Sequence, residues 1–106
     1  MDLDTFLRIR SEGASIFFFT ASWCGPCKTM YKMFEEYEKN CPHKVRFEKI
    51  DVEESPDISD HCNISSMPTF RFYLDGVYTT FSGADPKKFD KYYNDLLIDI
   101  KKKRTN

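Results

Sequence analysis

The sequence predicts an α/β domain in which one mixed β-sheet lies between helices. Three observations point there. Patterned segments follow one another in the order α-β-α-β-α-β-β-α, with no repeat, linker or low-complexity stretch between them. The run Ile16 to Thr20 is apolar on both parities, as a central strand covered on both faces must be. Asp75-Gly76 separates two apolar runs, a strong signal for a two-residue hairpin and so for an antiparallel pair.

Each element has its own justification. Asp4 can cap a short helix carrying Phe6, Leu7 and Ile9, and Gly13 ends it. After the strand, Trp23-Cys24-Gly25-Pro26-Cys27 opens a helix, because proline is tolerated in a first helical turn. Met30, Met33, Phe34 and Tyr37 keep helical spacing to about Asn40. Val45 to Val52 reads as a strand with Val45, Phe47 and Lys49 on one side. Glu53 to Asp57, with three acids and Pro56, starts a helix that runs to about Cys62. Thr69 to Leu74 and Val77 to Phe81 form the hairpin strands. From Pro86, the positions Phe89, Tyr92, Tyr93, Leu96, Leu97 and Ile100 mark a final amphipathic helix, and residues 101–106 read as a basic, solvated tail.

Length and charge bound the function. The chain has 106 residues, 41% apolar and 31% charged, which suits a single domain, residues 1–106, with one core system. Its 16 Lys+Arg against 17 Asp+Glu give a net charge of -1, without the basic excess of a general nucleic-acid or anionic-membrane binder. The longest apolar run, Ile16-Phe17-Phe18-Phe19, is far below the roughly 18 residues of a membrane span. With no secretory pattern at the start, the expected compartment is the cytoplasm, or the nucleus if Lys101-Lys102-Lys103-Arg104 acts as a signal.

The four cysteines then carry the chemistry. In a reducing compartment a Cys-x-x-Cys is more often catalytic or metal-binding than structural. At a helix start, unsatisfied backbone N–H groups and the helix dipole stabilise a thiolate, the attacking species. Cys24 is the better nucleophile, expected at the exposed edge of the turn, with Cys27 one turn inward and within reach to close a disulfide. Zinc is the competing reading: His43 follows Cys27 after fifteen residues, but the next histidine, His61, breaks the finger spacing, so no metal site is expected. Cys41 and Cys62 lack a paired spacing and read as inert, buried or half-buried thiols, and His43 and His61 as surface residues.

These segments resemble the thioredoxin family. Ala21-Ser22-Trp23-Cys24-Gly25-Pro26-Cys27-Lys28 is similar to its active-site segment, Met67-Pro68-Thr69-Phe70 to its second signature, and Phe81-Ser82-Gly83-Ala84 to a third, with similarity from about residue 4 to residue 98. The resemblance implies a cis Met67-Pro68 bond. It also implies a shallow apolar groove of Trp23, Gly25, Pro26, Met67, Pro68, Gly83 and Ala84 around Cys24. An extended substrate segment would lie there, bonded at the backbone of the residue before Pro68.

Three departures stand beside it. Phe18 occupies the position where the family carries a buried aspartate, whereas the lysine partner of that aspartate is retained as Lys49, a modulator of thiol ionisation that must now find another partner or an exit to solvent. Without that carboxylate, release of a mixed disulfide by Cys27 is expected to be slower than in relatives that keep it. Lys32 stands where the family often has a helix-kinking proline. Too few residues precede Gly13 for the family's first strand, so a thioredoxin fold with four strands is expected, Val45 to Val52 forming a new edge protected by Arg46, Glu48 and Asp51.

The implied activity is protein disulfide reduction by dithiol–disulfide exchange, serving general redox homeostasis. Cys24 attacks a target disulfide and Cys27 resolves the mixed disulfide. No cofactor beyond the Cys24–Cys27 pair is expected, since no Gly-rich dinucleotide fingerprint is present. The implied partners are disulfide-containing proteins and a thioredoxin reductase, with no nucleic acid and no membrane, and the chain is expected to act as a monomer. The alternative from another class is a thioredoxin-fold interaction module with weak or no turnover. An isomerase or oxidant is a weaker third reading, because Gly25-Pro26 resembles the reducing members.

Overall fold

The computed structural model describes residues 1–104, with side chains through Lys103. The elements are α1 (Leu3–Ser11), β1 (Ala14–Thr20), α2 (Gly25–Asn40), β2 (Val45–Asp51), α3 (Pro56–His61), β3 (Thr69–Leu74), β4 (Val77–Ser82) and α4 (Pro86–Arg104). Their order is the expected one, and the differences at element ends have local causes. Asp2 rather than Asp4 caps α1, its carboxylate accepting the Thr5 N–H at 2.8 Å. Asp4 falls inside the first turn, where the dipole favours an acid. Helix α3 begins at Pro56 and not at Glu53, because the Asp51 carboxylate accepts the Glu53 and Glu54 N–H groups at 2.8 and 3.3 Å and holds them in a turn.

The segment expected as a basic tail continues the last helix. Lys101 to Arg104 form the final turn of α4, a favourable place for cations at a helix C-terminus. Lys103 is ion-paired with Asp75 at the hairpin tip. Thr105 and Asn106 of that expected tail lie outside the described residues. Asp75 also accepts the Gly13 N–H at 2.7 Å and donates its own N–H to the Gly13 carbonyl at 2.9 Å, so the loop before β1, the hairpin and α4 are tied at one end of the sheet. Positive φ at Asp75 (50°) and Gly76 (87°) gives the tight turn that the dipeptide predicts.

The strands run in the order β2-β1-β3-β4. Strand β1 is parallel to β2 and antiparallel to β3, which is antiparallel to β4. This is the expected four-stranded mixed sheet with β2 as an edge, carrying an Arg46–Glu48 ion pair at 3.0 Å. The alternation of β1 divides the core. Phe17 and Phe19 pack with Phe6 and Ile9 of α1 and Ile58 of α3, whereas Ile16 and Phe18 pack with Met30 and Phe34 of α2 and Phe89, Tyr93 and Leu96 of α4. Helices α2 and α4 are also joined across their solvent edge, where the Tyr37 hydroxyl donates to Asp90 at 2.5 Å. Burial and that carboxylate push the Tyr37 hydroxyl up to about 12.

Phe18 is at the centre of the α2/α4 layer and is 0% exposed. Its ring stacks on Phe70 at 4.9 Å and meets Phe34 edge-on at 5.4 Å, with Tyr31 at 6.1 Å. Aromatic packing fills this position. Phe18→Ala is therefore expected to destabilise the fold by about 3–5 kcal/mol, read as a lowered urea midpoint at unchanged slope. A loss below about 1 kcal/mol would contradict this packing role.

Candidate active site

The sheet brings the sequence signatures together at one end. Register pairs Phe19 with Thr69, Thr20 with Asp51, and Thr69 with Ser82. The end of β1, the end of β2, the start of β3 and the end of β4 therefore lie side by side. Cys24 follows β1, Met67-Pro68 precedes β3, and Gly83-Ala84 follows β4. This is the edge formed by the carboxyl ends of the two parallel strands, where open α/β sheets place their sites.

Cys24 and Cys27 form a disulfide, with Cα atoms 5.4 Å apart. Cys24 is the N-cap of α2, and its sulfur accepts the Cys27 backbone N–H at 3.2 Å. A thiolate at this atom would keep that hydrogen bond and face the positive end of the helix dipole. The two sulfurs are thus inequivalent: one receives the helix start, and the other belongs to the first turn. Cys24 is 4% exposed and Cys27 2%, so Cys24 is not at an exposed edge as the spacing suggested. Capping draws its side chain inward over the helix start, and both cysteines belong to the α2/α4 core layer. Exposure is supplied instead by Trp23, 66% exposed, and by Gly25 and Pro26.

The Met67-Pro68 peptide bond is cis. Met67 is half-buried against the core layer that contains both cysteines, and Pro68 is buried. The Gly83 N–H donates to the Pro68 carbonyl at 2.9 Å, which fixes the third segment against the second. Gly83 takes φ 114°, a conformation that favours glycine, and Ala84 beside it is exposed. The Met67 N–H and C=O make no hydrogen bond among the described residues.

Lys49 does exit toward solvent. It is exposed, its amine 4.5 Å from the centroid of the Tyr31 ring, and among the described residues no carboxylate pairs with it. Sequence reasoning missed Tyr31 and Asp51 as neighbours of the cysteines. The signal was available for Tyr31, which is four residues after Cys27 and so on the same helix face.

The remaining cysteines stand apart. Cys62 is 3% exposed, and burial pushes its thiol up, opposed by Arg71 and Arg10. Cys41 is half-buried, its thiol 3.4 Å from the His43 carbonyl. His61 is exposed, but His43 is only half-exposed, with Nδ1 buried and without a hydrogen-bond partner among the described residues. Among the described residues, no group of three or more His, Cys, Asp or Glu side chains could hold a metal ion.

A strand–turn–helix carrying a Cys-x-x-Cys disulfide on a mixed sheet, beside a cis-proline loop, defines the class of dithiol–disulfide oxidoreductases. The family model Thioredoxin matches residues 4–95. A thioredoxin of Ictalurus punctatus is 43% identical over 79 residues, covering 73% of this chain and 74% of the relative. Mitochondrial thioredoxin-3 of Saccharomyces cerevisiae is 39% identical over 89 residues, covering 83% and 69%. The crystal structure of thioredoxin from Trypanosoma brucei brucei superposes with a TM-score of 0.83 at 31% identity, covering 91% of this chain and 86% of that one. The chain belongs to the thioredoxin family, and its redox centre is a cysteine pair that needs no cofactor.

Activation at the helix start, not burial, sets a reactivity order, since Cys24 and Cys62 are 4% and 3% exposed but only the Cys24 sulfur receives a backbone N–H at a helix N-terminus. In the reduced folded protein, substoichiometric iodoacetamide at neutral pH should label Cys24 first, and Cys62 only after denaturant is added, read by peptide mass. Labelling of Cys62 as fast as Cys24 would contradict this order.

Proposed function

We propose that the protein is a disulfide reductase of target proteins, working by dithiol–disulfide exchange through Cys24 and Cys27. The observation that carries this reading is the Cys27 N–H bonded to the Cys24 sulfur at 3.2 Å, because it singles out one sulfur for activation at a helix start. Cys24 attacks the target disulfide, and one target sulfur leaves as a thiolate. Cys27 then attacks Cys24, restoring the disulfide and freeing the second target sulfur. The target gains two electrons and the pair loses them.

Trp23, Gly25, Pro26, Met67, Pro68, Gly83 and Ala84 form the substrate groove in this reading. The unbonded N–H and C=O of Met67 support it, since they can take an extended target segment in the manner of strand addition. The pair is returned to the dithiol by a thioredoxin reductase, as is general for the family, and the protein works as a monomer in the cytoplasm. Among the described residues no helix is long and apolar enough to cross a membrane. One relative is a mitochondrial thioredoxin of Saccharomyces cerevisiae. A pure interaction module is not favoured, because a scaffold has no use for a paired dithiol capped in this way.

With dithiothreitol as donor, the wild-type chain should reduce insulin and precipitate its B chain. Cys24→Ser should abolish turnover, and Cys27→Ser should accumulate a mixed disulfide through Cys24, seen by mass spectrometry. Equal turnover by wild type and Cys24→Ser would overturn the reading.

A further inference from the structure

The two edges of the sheet are unlike. Strand β2 carries Arg46, Glu48, Lys49 and Asp51 along one edge, the kind of charge that keeps another chain from pairing there. Strand β4 forms the other edge with no charged residue and no proline, and Val77 on it is 75% exposed. Its register on β3 pairs Leu74 with Val77, Phe72 with Thr79 and Phe70 with Phe81. A two-residue turn closes on a hydrogen-bonded pair, here Leu74 and Val77, and the Gly83 N–H on the Pro68 carbonyl continues the same alternation. Val77, Thr79 and Phe81 therefore spend their backbone groups on β3. Tyr78, Thr80 and Ser82 point theirs outward, where they meet no other backbone among the described residues.

A groove runs alongside that edge. Between β4 and α4 lies a cavity of about 370 Å³ with apolar walls from Phe72, Leu74, Tyr92 and Leu96. Among the described residues that line it, the aspartates Asp75, Asp95 and Asp99 stand against one cation, Lys103. Lys103 pairs with Asp75 and Lys91 with Asp95, whereas Asp99 enters no ion pair among the described residues. The groove therefore keeps an acidic balance. The other face of β4 has the opposite sign: there the Arg71 guanidinium lies 4.3 Å from the centroid of the Tyr78 ring and donates to the Tyr73 hydroxyl.

We propose that β4 is a docking edge for an extended segment of a partner protein, added to the sheet as a further strand, whose side chains follow the pattern basic-x-apolar-x-basic. The outward N–H and C=O groups of Tyr78, Thr80 and Ser82 supply the pairing. Side chains alternate along a strand, so every second residue of the segment faces α4. The apolar one enters the cavity. The basic residues two positions to either side lay their stems over its rim and turn their charges to the aspartates. The intervening residues face Arg71, which repels a cation there and so selects one register over its neighbour. No step of this docking passes through the cysteine pair, so the proposal stands apart from the reductase reading.

The test titrates the oxidised, isotope-labelled full chain with the blocked peptide Thr-Lys-Thr-Leu-Thr-Lys-Thr and follows backbone amide signals by NMR. Those of Tyr78, Thr80 and Ser82 should shift, and those of Arg46 and Glu48 on the other edge should not. The peptide Thr-Thr-Lys-Leu-Lys-Thr-Thr has the same composition and charge but puts both lysines beside Arg71, and it should bind about fivefold more weakly. Asp99→Lys should weaken the first peptide by about fivefold and leave insulin reduction unchanged. Thr80→Pro removes one outward N–H at a site where an edge strand tolerates proline, and should cost about tenfold. Asp99 lies on an exposed helix face, so its variant decides the matter even if Thr80→Pro does not fold. Equal binding of the two peptides, an unaffected Asp99→Lys, or β4 signals that stay still would each overturn the proposal. So would shifts confined to Trp23, Met67 and Ala84, which would place the peptide in the disulfide groove. β4 signals that move with protein concentration in the absence of peptide would give the edge to a second copy of this chain and overturn it too.

Discussion

The structure depends on one atom that serves two purposes, the sulfur of Cys24. As N-cap it satisfies a backbone N–H at the start of α2, and as a thiolate it would be the reacting group. The cap requires the chain to leave β1 in a tight turn and enter α2 at once, which the sequence Trp23-Cys24-Gly25-Pro26 supplies. Because β1 is a central strand, this turn emerges from the middle of one sheet edge. The loop before β3 and the loop after β4 then flank it without further design.

The second constraint is the aromatic layer beneath that turn. Phe18, Phe34, Phe70 and Phe89 meet one another at centroid distances between 4.9 and 6.3 Å, filling the space under the helix start. An aromatic residue at position 18 excludes a buried charge behind the cysteines. On β2, Lys49 is exposed and its amine lies over the Tyr31 ring. The Phe18 ring strengthens packing where a buried carboxylate would weaken it.

Much of this was legible in the sequence because it rests on short-range rules. Apolar runs on both parities placed β1 in the centre, Asp75-Gly76 placed the hairpin, and the cysteine spacing placed the redox pair at a helix start. What was not legible depends on contacts distant in sequence or on competition between caps. Asp2 and Asp4 are both good caps, and only the Thr5 N–H distinguishes them. The last helical turn continues into the lysines because Lys103 reaches an aspartate in a hairpin far away in sequence. Capping also buried Cys24, which spacing alone cannot report, and the Tyr31–Lys49 contact joins a helix to a strand that follows it.

The most direct measurement of the central claim is the reduction potential of the Cys24–Cys27 pair, equilibrated against glutathione and quantified by alkylation and mass. The account predicts a reducing couple, more negative than about −230 mV and near the roughly −270 mV of a thioredoxin. A value less negative than about −180 mV, in the range of protein-folding oxidants, would contradict it.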